Sequence, residues 1–204
     1  MPQQPSDDQP EDRSPGQPAA PNVTRSNHAK SISASGNADL RHELDKASKL
    51  RVPQDYRDEL ERLRKKYRHS ISILRDGIDR ITRFNSFAYG LGFWKHAEYI
   101  RRVDAAGNSA IADSHFVSWV LEQDILREIS VSDAKEGDVV LYFDKGAVTH
   151  AAVLGEEQTL RSKWGGNEVH QHGLWEVPAQ YGDTVRYYRK PDAASLLSHL
   201  QDIK

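Results

Sequence analysis

From residue 85 onward this chain places hydroxyl and imidazole side chains where they can do chemistry. Ser86 follows Asn85 and opens the run Asn85-Ser86-Phe87-Ala88-Tyr89. His150 lies in a β-rich run, Val148-Thr149-His150-Ala151-Ala152-Val153-Leu154, and Ser162 follows twelve positions later. His170 and His172 come next, one residue apart. A serine beside an imidazole can act as a nucleophile with its base, and a further polar group can orient the ring. Three imidazoles, two at i, i+2 on one strand face, can instead ligate zinc. No HExxH motif or nearby acidic partner accompanies them, so no metal and no cofactor is expected. Each residue also has a plainer use: Ser86 as a capping serine, His150 as a hydrogen-bonded strand residue, Ser162 and His172 as polar side chains facing water. Trp164 and Trp175 flank Gly165-Gly166 and can line a groove or fill a core.

The elements that must position these residues fall into zones. Residues 1–45 hold six of the nine prolines, many Ser, Gln and Asp, and no aromatic side chain. That composition predicts a disordered leader, serving as a linker, a tether or a secretion leader. Residues 53–82 carry Tyr56, Leu60, Leu63, Tyr67, Ile71, Leu74, Ile78 and Ile81 at spacings of three and four. This predicts one long amphipathic helix, started by Pro53 and acidic residues. Its stripe can form a homodimer seam or pack on the domain that follows. The domain itself spans 84–190. A helix is expected from Phe84 to about Tyr99, capped by Asn85, and a second from Asp113 or Ser114 through Ile125, with a loop over 104–113 between them. Strands are expected at 138–143, 148–154, 159–164 and 184–189, with a turn at Asp144-Lys145-Gly146 and a Gly-rich loop before the last. Helices followed by antiparallel strands give an α+β fold, and the tail 191–204 predicts a short helix over 193–203.

In order, these motifs resemble the papain-like superfamily of bacterial Cys–His peptidases and amidases, in its NlpC-type and CHAP-type branches. The motifs are the Asn85-Ser86 helix start, Glu136-Gly137-Asp138-Val139-Val140, and Thr149-His150-Ala151-Ala152-Val153. The resemblance covers roughly residues 84–165. Arg161 to Gly165, His172 to Pro178 and Tyr181-Gly182 resemble the tail of a bacterial papain-like family of unknown substrate. It implies helices packed on a small antiparallel sheet, with Ser86 at the nucleophile position, His150 as base and acid, and Ser162 or His172 as orienter. Asn85, Tyr89, Trp164 and Trp175 would line the substrate site. The implied substrate is a peptide or isopeptide, with the peptidoglycan stem peptide the usual choice.

The departure is Ser86 where such enzymes carry Cys. A helix N-terminus and one imidazole stabilise a thiolate but do not ionise a serine hydroxyl. Ser86 is then a substitution for Cys, a natural degenerate site, or a serine nucleophile assisted by His150. The rival expectation is a non-catalytic peptide- or protein-binding module using the degenerate cleft and the 53–82 helix.

Composition bounds the rest. Lys plus Arg total 28 and Asp plus Glu total 30, a net charge of −2, which disfavours a nucleic-acid partner. There is no cysteine, so disulfides and thiolate metal sites are excluded. No membrane-spanning run and no signal peptide is legible, so a cytoplasmic protein is expected, with export by a signal-less route left open.

Overall fold

A computed structural model describes residues 35–74, 84–107 and 111–201. The leader through residue 34, residues 75–82 of the expected long helix, 108–110 of the expected loop and the tail end 202–204 lie outside the described residues.

Two helices come first. Ala38–Ala47 (α1) buries Leu40, Arg41, Leu44 and Ala47 on one face. This corrects the expectation of disorder through residue 45: a short apolar stripe suffices once there is a sheet to dock on. Pro53–Tyr67 (α2) has Pro53 in its first turn and Asp55 behind it, and buries Tyr56, Leu60 and Leu63. It stops at Arg68, which takes a left-handed conformation (φ 55°) and donates its N–H to the Arg64 carbonyl. The His69 ring lies 3.2 Å from the Leu60 carbonyl, and Arg64 donates to the Ile71 carbonyl at 2.7 Å. These contacts secure the reversal, so Ile71 continues the apolar pattern from outside the helix and leads into the short strand Ser72–Ile73 (β1). The expected helix over 53–82 is thus corrected to one ending at Tyr67. Its stripe is buried within the chain, so the homodimer seam over Tyr56, Leu60 and Leu63 is not available to a second copy.

The expected helix from Phe84 to Tyr99 is two helices. Ser86–Gly90 (α3) is followed by Gly92 at φ 81°, a turn over Phe93–Lys95, and Ala97–Ala105 (α4). The positive φ suits a residue without Cβ and ends α3. Ser114–Glu122 (α5) starts as expected, with the Asp113 side chain accepting from the Phe116 N–H at 2.9 Å.

The remaining strands are Glu128–Ile129 (β2), Val139–Asp144 (β3), Ala147–Leu154 (β4), Leu160–Lys163 (β5), Val169–His172 (β6) and Thr184–Tyr188 (β7). They form an antiparallel sheet in the order β1-β6-β5-β4-β3-β7-β2. Lys145 and Gly146, both at positive φ, close the β3–β4 hairpin. Ala193–Ser198 (α6) supplies the expected C-terminal helix. The fold is α+β, and the sheet separates two cores. On one face α3, α4, α5 and α6 pack against Val139, Leu141, Ala151 and Tyr188. On the other, α1 and α2 pack against Val140, Tyr142, Ala152, Leu160 and Trp164. Asp138, fully buried, accepts from Arg189 and from the N–H groups of Lys135 and Lys190, which joins the end of β3 to the end of β7.

Candidate functional site

The Asn85 side chain does what its position predicts. Its Oδ1 accepts from the Ala88 N–H at 2.9 Å, and its Nδ2 donates to the Ala112 carbonyl. Ser86 begins α3 and is buried. The helix lies close on β4: a Cβ added at Gly90 would stand 2.8 Å from the Ala151 Cβ. Ala151 therefore faces α3, and by strand alternation its neighbour His150 faces the other way.

The contacts of His150 agree. Its ring stacks on Tyr181 with centroids 3.8 Å apart and planes 5° apart, and meets Tyr142 edge-on at 5.6 Å. Both tyrosines belong to the core under α1 and α2. Ser86 and His150 thus sit on opposite faces of the sheet, which corrects the expectation of a Ser86–His150 pair. The cause is a bulge. Phe143 pairs with Val148, but Tyr142 pairs with His150, leaving Thr149 as the extra residue. Thr149 Oγ1 donates to the Tyr142 and Tyr181 carbonyls. Val148 joins the α3-side core, so unbroken alternation from it would have turned His150 toward α3. One inserted residue reverses that. The α3 face carries Lys163 instead, a buried side chain whose ammonium donates to the Asn167 carbonyl and lies 5.1 Å from the centre of the Phe84 ring.

The other imidazoles gather on the far face. His172 Nδ1 lies 2.9 Å from the Gly173 carbonyl, which can only accept, so Nδ1 carries the proton and Nε2 is the acceptor. Ser162 Oγ then donates to His172 Nε2 at 2.8 Å and accepts from Trp164 Nε1 at 2.9 Å. The two alternatives for an orienting residue, Ser162 and His172, bond to each other beneath the α1–α2 layer. His170 meets the Tyr56 hydroxyl at 2.7 Å and stacks on Trp164 at 4.3 Å. All three rings are buried and held neutral. Desolvation, with the neighbouring imidazoles opposing a second charge, pushes His150 well below its ordinary range. Desolvation lowers His170 to about 3, helped by His172 and Lys163. It lowers His172 to about 4 against the opposing pull of the Gly173 carbonyl and Glu176. Among the described residues no group of three His, Asp or Glu side chains is placed to hold a metal ion, so the three imidazoles do not assemble a zinc site.

Trp164 and Trp175 are core residues, not groove walls. Trp175 meets Tyr142 edge-on at 6.0 Å and carries the Arg41 guanidinium 5.3 Å from its ring centre. Arg41 in turn donates to the Val177, Pro178 and Gly182 carbonyls, which ties α1 to the segment before β7.

An open groove of about 700 Å³ lies at the C-terminal end of α3, away from Ser86. Tyr89 and Trp94 stack at 5.5 Å in its wall, and Lys95, Arg161 and Lys190 bring positive charge to it. Of these only Tyr89 is among the residues the sequence nominates. The legible signal for the groove is the Trp94-Lys95 pair, an exposed cation beside a large ring.

Residues 79–189, more than half of the chain, match the family described as Domain of unknown function (DUF7689). The match takes in the sheet from β2 to β7 with α3, α4 and α5, and leaves out α1 and α2. No curated protein and no solved structure matches the chain. On that match, the chain is a member of the DUF7689 family.

Proposed function

We propose that this chain is a non-catalytic peptide-binding module built on a papain-like frame. The observation that carries this is the separation of Ser86 and His150 by the sheet. A general base must come within hydrogen-bond reach of the group it deprotonates, and geometry precedes pKa in judging it. Here the imidazole is packed flat on Tyr181. The papain-like frame is supported by the Asn85-capped helix α3 lying on β4, and by the Gly137-Asp138 strand pairing antiparallel with the strand of His150. Ser86 keeps the place of a nucleophile without the base, so the old cleft is a relic and the open groove is the working surface. Among the described residues no helix is long and apolar enough to cross a membrane.

Affinity selection on the full chain tests this reading. Random hexapeptides passed over the immobilised protein are expected to be retained by both wild type and Ser86→Cys, and recovered intact by mass spectrometry. Cleaved peptides from Ser86→Cys that disappear in Ser86→Cys/His150→Phe would overturn it. So would the absence of any retained peptide.

A further inference from the structure

We propose that the groove at the end of α3 captures the C-terminal carboxylate of a peptide, with Lys95, Arg161 and Lys190 as the anion-binding side chains. This rests on the binding-module reading and names the group that the module recognises.

Three features of the groove lead to a single carboxylate. The first is the disposition of charge. The Lys95 ammonium sits 4.3 Å from the Trp94 ring centre, so a cation–π contact fixes it at the rim. Lys190 stands over Gly137: a Cβ there would touch its Cδ at 3.5 Å. Neither lysine has a carboxylate partner among the described residues. Arg161 meets Glu136 only at 3.5 Å, and its Nε has no hydrogen-bond partner among the described residues. The Asp192 carboxylate, also in the wall, accepts from the Ala194 N–H as the cap of α6. Lys95 and Lys190 are therefore left without an ion-pair partner among the described residues, and the Arg161 guanidinium, loosely paired with Glu136, matches the planar fork of a carboxylate.

The second feature is the adjoining cavity of about 370 Å³, which shares Glu136 and Arg161 with the groove and adds Glu156 and Glu157. Negative charge on that side repels a polyanion such as a nucleic acid and leaves room for one negative group at the cationic end. The third is the floor, where Leu91, Val153, Pro191 and Ala193 give an apolar surface for a terminal side chain. A volume of roughly 300–1,000 Å³ is usual for sites that hold a small, drug-sized ligand.

The test compares two probes, Ac-Ala-Ala-Phe with a free carboxylate and the same peptide as its C-terminal amide, by calorimetric titration of the full chain. The expected result is at least tenfold tighter binding of the free acid. Lys95→Gln, Lys190→Gln and Arg161→Gln, singly, should each narrow that ratio several-fold; for the two lysines, which are exposed, the melting temperature should stay within a degree or two. Equal binding of acid and amide overturns the carboxylate proposal and leaves the binding module standing. No binding of either probe overturns the proposal too, and the hexapeptide selection then decides the module on its own. A preference for the acid that survives all three substitutions places the site elsewhere and also overturns it.

Discussion

Gly90 and Ala151 meet so closely that one added methyl would bring two Cβ atoms to 2.8 Å. This contact sets α3 directly on β4 and decides which side chains of β4 the helix can see. Ala151 faces α3, and His150 does not.

The contact is testable as packing. Gly90→Ala overfills the interface and should cost about 1–3 kcal/mol of stability, the usual range for extra methylenes in a packed core. Gly90 has no positive φ, so backbone strain does not enter. Urea unfolding of Gly90→Ala measures the loss, and Ala151→Gly added to it should recover a good part. A Gly90→Ala protein as stable as wild type would mean that α3 stands farther from β4.

The buried imidazoles predict a dependence of stability on pH. His150, His170 and His172 are held neutral in the folded chain, with folded values below the unfolded one near 6.5. Unfolding therefore takes up protons below about pH 6.5, and stability, complete above that value, falls as pH drops. Each buried ring contributes a slope of about 1.4 kcal/mol per pH unit. The window runs from about 6.5 down to about 4 for His172 and about 3 for His170. His69 adds to it in the same sense, its value also lowered by burial. Urea midpoints between pH 7.5 and 5.5, above the range where carboxylates titrate, should fall steadily below pH 6.5. A flat profile would mean that the rings reach solvent.

The Ser162 hydroxyl joins two buried groups. Ser162→Ala leaves Trp164 Nε1 and His172 Nε2 without their partner in a closed core. Each orphaned group costs about 1–3 kcal/mol, so the loss should far exceed that of an exposed serine such as Ser195. Chemical denaturation of Ser162→Ala beside Ser195→Ala checks this. Equal, small losses would show that water reaches the network.

Much of the fold is legible in the sequence. Asn85 and Asp113 announce their helices because a capping side chain is a local device. Lys145-Gly146 announces the hairpin because positive φ there is a local demand. What is not legible depends on distant partners. Leu40 and Leu44 give α1 only two leucines, and it forms because the sheet and Arg41's carbonyl partners receive it. α2 stops at Arg68 without a glycine or proline, so the apolar spacing runs on through Ile71 while the chain has already turned. The candidate site suffers most. The bulge at Thr149 has no signature in residue type, yet it decides the face of His150. Ser162 and His172 do come together, but in the core of the other face.

Thiol alkylation reads whether Ser86 and His150 lie on opposite faces of the sheet. The chain has no cysteine, so Ser86→Cys carries a single reporter. Iodoacetamide labelling near neutral pH is measured for Ser86→Cys and for Ser86→Cys/His150→Phe, which keeps a ring on Tyr181. Placement on opposite faces predicts equal rates, no faster than those of an ordinary thiol. A fast reaction in Ser86→Cys that collapses when His150 is replaced would demonstrate a thiolate–imidazolium pair and contradict it.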